Sequence, residues 1–350
     1  MSERRNSVRM RLSPEEANLV NAYRLKGHEA LAEECEKSGI PIEDVKHYWF
    51  KGEHFSINVR GVDAVNYLQV KDIIVEDMVK HAPSYKPIKR DKVKDAHLMV
   101  IDPADVHIGK LAVREETGED YNVKIAVDRV VEGVHGLINK CSGFNIDKIM
   151  YVVGNDILHV DTPRRTTTSG TPQDTDGMWH TNFLVAKDLH VSIIEMLRTI
   201  ADVYVQYDPS NHDYMSGFFL ADTISSWFSK DKHVSFNTNI SHRKYFRYHS
   251  NLIGTTHGDG AKEADLPLLM AHETGKDWHE CSHKYFYTHH IHHKRSRDYM
   301  GVTIESMRSP SGPDGWHSRN GYQHNTKAIE AFIHHPLQGQ VARINHIFIN

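Results

Sequence analysis

An apolar run that ends in glycine, a carboxylate and an imidazole constrains the fold of this chain most strongly. In the segment MYVVGNDILH, the apolar residues 150–153 are followed by Gly154 and Asn155, then by Asp156 and His159. Unbroken apolar runs of this length are typical of buried parallel strands, and open α/β sheets collect ligands at the carboxyl ends of such strands. The segment therefore predicts a strand whose carboxyl end opens into a functional site.

Four further clusters of polar residues follow predicted strands. They are Asp105 with His107, Asn211 with His212 and Asp213, His257 with Asp259, and His290 with His292. The remaining pattern predicts strands over residues 97–101, 146–153, 203–207, 252–256, 284–288, 299–307 and 341–349, and helices over residues 123–141, 182–201, 214–228, 266–272 and 328–335. This alternation indicates an α/β fold in which the clusters fall after successive strands.

Composition narrows the class of protein and the compartment. The 350 residues are 39% hydrophobic and 25% charged, which is ordinary for a globular protein, and the formal net charge is −4. A balance this close to neutral excludes a global basic field, so any contact with DNA must use local patches. Three cysteines lie far apart without a C-x-x-C motif, and no apolar run reaches the ~20 residues of a membrane span. We therefore predict a cytoplasmic protein.

The amino-terminal part is predicted to be a separate module. We expect a winged helix-turn-helix-like module over residues 1–60, an amphipathic segment with a basic Pro/Lys linker over residues 61–95, and the main domain over residues 96–350. Helices over residues 13–25, 28–37 and 43–50 and a strand over 54–59 follow the order of that motif. The third helix would turn four side chains toward DNA, namely Lys46, His47, Tyr48 and Lys51. The alternative is a small bundle that packs on the main domain or on a partner, and we expect the linker to be a solvated tether.

The polar clusters together offer the ligands of a two-metal hydrolytic site. Such a site needs a bridging carboxylate, several terminal ligands and a water held between the cations. Asp105 and His107 can bind one metal from a single loop, and Asp156 can bridge. The second metal can be bound by Asn211, His257 and His290, and His292 can return to the first. Mixed oxygen and nitrogen ligands favour two Mn²⁺, Fe or Zn²⁺ ions over Mg²⁺ or Ca²⁺.

These motifs have the order and spacing of a known superfamily. DVH, GNDILH, SNHD, THGD and HIH resemble the motifs of the calcineurin-like metallophosphoesterases over residues 96–307. The position of His159 is similar to that in the DNA-repair exonuclease branch, which contains the nuclease subunits of double-strand-break repair complexes and their phage-type relatives. The resemblance implies a four-layer αββα sandwich of two mixed sheets and the ligand sets given above. It also implies that His212 serves the leaving oxygen, that Asp213 orients His212, and that His159 lies at the phosphate.

The chain departs from the family pattern at a few positions. Ser210, Thr256 and His289 stand where the family has glycine, and Asn155 precedes the bridging aspartate. Because His289 and His293 flank the last ligand pair, the alternative is that the pair shifts by one residue. Two Trp-His pairs, at residues 179–180 and 316–317, are interpreted as core aromatics with polar rims.

The predicted function is that of a two-metal phosphodiesterase, most specifically a DNA nuclease. Arg164 and Arg165 lie in a long polar loop, residues 161–177, which either contacts substrate or is merely mobile. Basic residues just past the last motif suit a phosphate backbone, namely Lys294, Arg295 and Arg297. The alternatives are a phosphatase for phosphoproteins or small phosphate esters, and a DNA-binding regulatory protein with a degenerate metal site. The expected partners are DNA and either a separate ATPase subunit, since the chain has no ATPase motif, or a second copy of the chain.

Overall fold

The computed structural model describes residues 33–39, 47–51, 56–60 and 82–349. The chain divides into two compact units, residues 1–70 and 71–350. The domain boundaries that we predicted after residues 60 and 95 stay predictions.

The described part of the first unit contains a helical turn and a hairpin. Residues 33–38 are helical and end at Gly39, whose φ is 66°. Strands β1 (His47–Lys51) and β2 (Ser56–Arg60) pair antiparallel. The helix predicted over residues 43–50 is therefore wrong at 47–50, because the sequence HYWFK is rich in aromatic residues that favour strands.

At residues 47–50 a strand therefore stands in place of the predicted DNA-reading helix. His47, Tyr48 and Lys51 lie on β1, whereas Lys46 lies outside the described residues. The helix predicted over residues 13–25 and the first half of the one over 28–37 also lie outside them, whereas residues 33–37 are helical as predicted. Within the described residues no winged helix-turn-helix is shown.

The second unit contains eleven strands and seven helices among its described residues. The strands are β3 (Ala96–Asp102), β4 (Asn145–Gly154), β5 (Asp202–Asp208), β6 (Val234–Asn237), β7 (Lys244–Tyr248), β8 (Asn251–Thr256), β9 (His283–Thr288), β10 (Arg295–Tyr299), β11 (Val302–Ser306), β12 (Ala328–His335) and β13 (Gly339–Ile347). The helices are α1 (Arg114–Thr117), α2 (Val123–Lys140), α3 (Trp179–Ile200), α4 (Tyr214–Trp227), α5 (Leu266–Thr274), α6 (Lys276–Glu280) and α7 (Gly315–Arg319).

The strands form two mixed sheets. The six-stranded sheet has the order β13-β12-β3-β4-β5-β6, and the four strands from β3 to β6 are parallel. The five-stranded sheet has the order β10-β11-β9-β8-β7, in which β8, β9 and β11 are parallel. Antiparallel strands close both ends of the five-stranded sheet and one end of the six-stranded sheet.

The apolar side chains of the sheets build four layers. Along β3, Leu98 and Val100 enter the cluster between the sheets, whereas Met99 and Ile101 enter the cluster with the helices α2, α3 and α4. Successive side chains of a strand point to opposite faces, so an unbroken apolar run is buried on both sides. A third cluster joins the outer face of the five-stranded sheet to α5. The α/β fold with two mixed sheets is confirmed, and its layers have the order αββα.

One prediction about the carboxyl-terminal part is wrong, and another is confirmed over residues 302–306 with a different beginning. Residues 328–335 were predicted as a helix but form β12, which pairs with both β3 and β13. A short apolar run is compatible with either structure, and burial between two strands decides in favour of the strand. The strand predicted over residues 299–307 is interrupted at Met300 and Gly301, whose φ values of 47° and 86° turn the chain from β10 into β11.

The described part of the predicted linker packs on the main domain. The Tyr85 hydroxyl donates a hydrogen bond to Glu195 at 2.6 Å, and the Tyr85 ring stacks on Phe228 with centroids 5.5 Å apart. The Ile88 amide donates to the His233 ring at 2.9 Å. Residues 82–90 are therefore held in place, in contrast to the solvated tether that we predicted.

A buried histidine makes the stability of this domain depend on pH. The Tyr151 hydroxyl and His190 Nδ1 lie 2.7 Å apart in the core, and burial lowers the pKa of His190 to about 3. Because an unfolded histidine has a pKa near ~6.5, the unfolded state binds a proton first as the pH falls. The contribution of neutral His190 to the free energy of unfolding is complete above pH ~6.5. It falls by up to about 1.4 kcal/mol per pH unit as the pH decreases toward 3.

Between pH 6 and 4.5, the slope of the unfolding free energy against pH gives the number of protons taken up on unfolding. We expect His190→Gln to reduce this number by about one. Urea unfolding in the presence of EDTA measures this slope without a contribution from metals. The exposed His135 offers the control, since His135→Gln should leave the slope as it is. An unchanged slope in His190→Gln would contradict the assignment.

Candidate metal centre

The loops after five parallel strands bring the predicted ligands together. The loops that follow β3, β4 and β5 in one sheet and β8 and β9 in the other carry all of the polar clusters. In this arrangement the carboxyl ends of both sheets open toward the same place, which is where open α/β sheets bind ligands.

The backbone of these loops is held in an unusual conformation. Six side chains at the site belong to residues with left-handed φ between 51° and 69°: Asp105, His107, Asn155, Asp156, His290 and His292. This conformation is uncommon outside glycine, costs about 1 to 3 kcal/mol per residue, and clusters at functional sites. Glycine is required at Gly154, where an added Cβ would lie 2.2 Å from the carbonyl oxygen of Asp208. The fold therefore directs these side chains into the site at a cost in stability.

The first group of ligand atoms comes from the loops that follow β3 and β9. The Nε2 atoms of His107 and His292 lie 3.4 Å apart, and His292 Nε2 lies 3.5 Å from Asp105 Oδ1. The three residues belong to one group whose ligand atoms lie within 4.8 Å of one another. This is the set predicted to bind the first metal together with Asp156.

The second group surrounds His257. Its Nε2 atom lies 2.9 Å from Asn211 Oδ1, 3.2 Å from Asp156 Oδ2 and 3.2 Å from His290 Nδ1. Four ligand atoms from four different loops thus meet at one point, as predicted for the second metal. His289 points elsewhere and His293 bonds the carbonyl of Ile291, so the pair at the site is His290 and His292.

The electrostatics of the two groups suit cations. Burial lowers the pKa of His107, His290 and His292, so these imidazoles are neutral. Burial opposes ionisation of Asp156, yet His257 lowers the pKa of this carboxyl below its usual range. Burial by itself would lower the pKa of His257, but the neighbouring Asp156 has the larger effect and raises this pKa to about 9. Metals bind carboxylates in the ionised form and imidazoles in the neutral form. Here a proton on His257 supplies the positive charge beside Asp156 that a cation would supply.

The donor set therefore fits divalent cations. In each group two imidazole nitrogens face each other at 3.2 to 3.4 Å. Neutral rings in this arrangement direct lone pairs at one another unless a proton or a cation lies between them. Because both groups are alike in this respect and lie in adjoining loops, the His and Asp clusters indicate binding of divalent metal.

Two further histidines lie against the first group. The rings of His107 and His212 have centroids 4.6 Å apart, and His159 stacks on His212 at 5.3 Å. His212 Nδ1 donates to the carbonyl of His159 at 2.9 Å, and its backbone amide donates to Asp156 Oδ1 at 2.9 Å. His159 is buried, with its Nδ1 3.4 Å from His107 Nδ1.

Asp213 contacts other groups than the one predicted from the resemblance. Its carboxylate accepts hydrogen bonds from the Leu158 amide at 2.9 Å and from the Ser210 hydroxyl at 2.5 Å. Burial, together with Asp156, raises the pKa of Asp213 to about 7. The group that orients the His212 ring is the His159 carbonyl, while Asp213 fixes the loops that carry the ligands.

The departures from the family pattern are joined in hydrogen bonds beneath the ligands. Ser210 Oγ accepts from the Asp156 amide at 2.8 Å while it donates to Asp213. His289 Nδ1 donates to the carbonyl of Thr256 at 3.0 Å, and His289 Nε2 lies 2.8 Å from Asp102 Oδ2. The Asn155 amide group donates to the other oxygen of Asp102 at 3.3 Å. The side chains of Ser210, His289 and Asn155 thus support the loops that carry the ligands, whereas Thr256 takes part through its backbone carbonyl.

The buried pair of Asp102 and His289 is expected to be strongly coupled. Both side chains are fully buried, and removal of one partner leaves the other without compensation, at a cost of about 3 to 5 kcal/mol. We expect the double variant Asp102→Ala/His289→Ala to lose less unfolding free energy than the two single variants lose together, by at least about 1 kcal/mol. Urea unfolding measures this cycle, and the same cycle with His293→Ala, which has no contact with Asp102, should be additive. Additive costs for Asp102 and His289 would refute the coupling.

Sequence reasoning missed a buried cation behind the centre. Lys110 is almost fully buried, with its Nζ 3.1 Å from Asp314 Oδ2, and Asp314 Oδ1 accepts from His317 Nδ1 at 2.7 Å. Burial lowers the pKa of Lys110, which Asp314 partly offsets. The His317 ring in turn stacks on His292 at 5.1 Å. The available signal was a lysine directly after the D-x-H-x-G sequence. The role of residues 314–317 could not be predicted, because it depends on a contact with Lys110, which lies far earlier in the chain.

The predicted basic contacts lie on the surface. Arg164 and Arg165 are exposed in loop 161–177, and Lys294, Arg295 and Arg297 are exposed at and next to β10. Arg295 forms an ion pair with Glu263, and Arg297 donates to the Tyr299 hydroxyl at 3.3 Å. The charge of Arg295 is therefore partly neutralised.

The long polar loop is fixed next to His212. Asp161 accepts hydrogen bonds from the Ser216 amide and the Thr168 hydroxyl, at 2.7 and 2.8 Å. The Thr168 amide donates to the carbonyl of the ligand Asn211 at 3.3 Å. These bonds hold the loop in place, so it is not merely mobile, and its contact with substrate stays a prediction.

No protein-family model and no curated protein matches the chain. Solved structures similar to it include a novel archaeal phosphodiesterase, Vps29 from Entamoeba histolytica complexed with zinc, and Vps29 from Chaetomium thermophilum. Their identities are 8%, 11% and 10%, and their TM-scores are 0.34, 0.31 and 0.30. Each alignment covers 72% of this chain and 99%, 99% and 97% of the other. Overlays this weak carry no argument about activity, which must be argued from the side chains.

Among the described residues, none of the helices combines the length and the apolar character needed to cross a membrane.

Proposed function

We propose that the protein is a metal-dependent phosphodiesterase and that its substrate is DNA. One observation carries the phosphodiesterase proposal. Two groups of ligand atoms lie in adjoining loops, and the half-buried His212 contacts a member of each, His107 and Asp156.

The protein side chains divide the work of hydrolysis. Two divalent cations, when bound, supply an activated water and neutralise the phosphoryl oxygens. Asp105, His107 and His292 would hold one cation, Asn211, His257 and His290 the other, and Asp156 both. Because His212 Nδ1 is occupied by the His159 carbonyl, its Nε2 is the atom that can deliver a proton to the leaving oxygen.

A sequence motif and the surface charge support DNA as the substrate. The GNDILH motif resembles the DNA-repair branch, and exposed arginines lie in the loop that is fixed next to His212. Arg164, Arg165, Lys294 and Arg297 are the side chains that we propose to contact the phosphate backbone, with Arg295 weakened by its ion pair.

Cleavage of end-labelled single- and double-stranded DNA with Mn²⁺, compared with an EDTA control, tests the proposal. We expect metal-dependent cleavage, and turnover of a chromogenic phosphodiester above that of the matched monoester. Turnover of the monoester alone would indicate a phosphatase instead. Intact DNA affinity with less than one bound metal per chain would indicate a regulatory protein with a degenerate site.

A further inference from the structure

We propose that Trp316 and Tyr322, next to the metal centre, form a subsite for a nucleobase of the substrate. The inference rests on the proposed phosphodiesterase function and specifies its substrate class. It concerns a segment, residues 312–325, that none of the motifs includes.

The segment is attached rigidly to the centre. Helix α7 begins after Asp314, whose side chain accepts hydrogen bonds from the His317 amide at 3.0 Å and from His317 Nδ1 at 2.7 Å. The other oxygen of Asp314 lies 3.1 Å from the buried Lys110 Nζ. The Tyr322 amide donates to the carbonyl of His317 at 2.9 Å. The backbone on both sides of the aromatic residues is therefore fixed.

A chain of four rings leads from a metal ligand to the surface. His317 stacks on His292 with centroids 5.1 Å apart and planes 18° apart. The Trp316 ring meets His317 edge to face at 5.2 Å, and Trp316 and Tyr322 stack at 5.7 Å with planes 23° apart. The indole is thus two ring contacts away from the proposed metal ligand His292.

The outer two rings are the exposed ones. Trp316 is 62% exposed and Tyr322 is 48% exposed, in contrast to the core position that we predicted for the Trp316-His317 pair. Single exposed aromatics need no explanation. A stacked pair whose position is fixed by a buried ion pair is different, because its planes are held ready for a flat ligand.

A small polar pocket joins the ring pair to the metal centre. It shares His292 with the centre and Tyr322 with the ring pair, and between them it is lined by Ser309, Ser311, Asn325 and Lys327. The pocket has room for about one water molecule, so it marks the continuity of the surface from His292 to Tyr322 and is not itself a site for the sugar. A nucleotide whose phosphate binds at the centre would place its base on the ring pair.

Stacking on such rings tolerates every base. The test compares kcat/KM with Mn²⁺ for two end-labelled oligonucleotides of equal length, one with bases and one built from abasic residues. We expect Trp316→Ala to lower the ratio of the two values about tenfold, since 1.4 kcal/mol corresponds to a factor of ten. Trp316→Phe should restore part of the ratio.

Trp179 offers a matched control. It is 48% exposed, and it packs edge to face on the neighbouring His180 at 5.6 Å, as Trp316 packs on His317. Trp179→Ala should leave the ratio at its wild-type value. Affinity for the base-containing oligonucleotide in Ca²⁺, read by fluorescence anisotropy, should fall in Trp316→Ala and not in Trp179→Ala.

The outcomes separate the inference from the proposed function. Cleavage of both oligonucleotides with a ratio that Trp316→Ala does not change would overturn the subsite and leave the phosphodiesterase intact. A ratio that falls equally in Trp179→Ala would also overturn it. Metal-dependent cleavage of neither oligonucleotide by the wild-type protein would overturn the DNA substrate and the subsite together.

Discussion

Asp156→Asn is expected to lower kcat for metal-dependent hydrolysis by about 10³-fold or more. The side chain lies 3.2 Å from His257 Nε2 and accepts the amide of His212, so it joins the second ligand group to the leaving-group histidine. An amide in its place removes the negative charge on which both proposed cations depend, and each cation contributes several kcal/mol to the stabilisation of the transition state. Steady-state turnover of a chromogenic phosphodiester at saturating Mn²⁺ measures the loss.

The control for this variant is Asp188→Asn, which changes a carboxylate with 73% of its side chain exposed on α3. Its kcat should match that of the wild type. Unfolding by urea in EDTA shows whether Asp156→Asn is still folded. A folded Asp156→Asn protein with wild-type turnover would exclude the proposed centre as the place of hydrolysis.

His212→Gln is expected to lower kcat by about 10² to 10⁴ for a poor leaving group, the range typical of general acid catalysis. The Nδ1 atom of His212 is held by the His159 carbonyl, so the ring presents Nε2 to the substrate. Glutamine can replace the Nδ1 hydrogen bond in part but cannot deliver a proton. We therefore expect the loss in kcat with little change in the number of bound metals.

A comparison of leaving groups separates this role from a structural one. With a p-nitrophenolate leaving group, which departs readily without a proton, His212→Gln should lose much less activity than with DNA. His180→Gln, a change at an exposed histidine, provides the matched control. Equal losses for good and poor leaving groups would show that His212 acts on something other than the leaving oxygen.

The sequence predicted the strands and the ligand loops of the main domain well, because both are local signals. A buried apolar run followed by a polar cluster defines each of β3, β4 and β5 at one end of the site. In the second half the same reasoning failed at residues 328–335, where a run of eight residues suits either a helix or a strand. Only the pairing of β12 with β3, more than 200 residues earlier in the chain, decides between them.

The supporting contacts of the centre could not be predicted in the same way. The family pattern has glycine where this chain has Ser210 and His289, and nothing local indicates that these side chains bond the Asp156 amide and the Asp102 carboxylate. Such contacts join residues that are remote in sequence, so they depend on the packing of loops. The same holds for Lys110, which reads as a surface lysine until Asp314 is placed beside it.

Metal titration of the EDTA-treated protein by calorimetry tests the central claim most directly. The claim is that Asp105, His107 and His292 form one cation site and that Asn211, His257 and His290 form another. We predict two Mn²⁺ per chain for the wild type and one for each of His292→Ala and His257→Ala. One equivalent or none for the wild type, or two equivalents in both variants, would contradict the account.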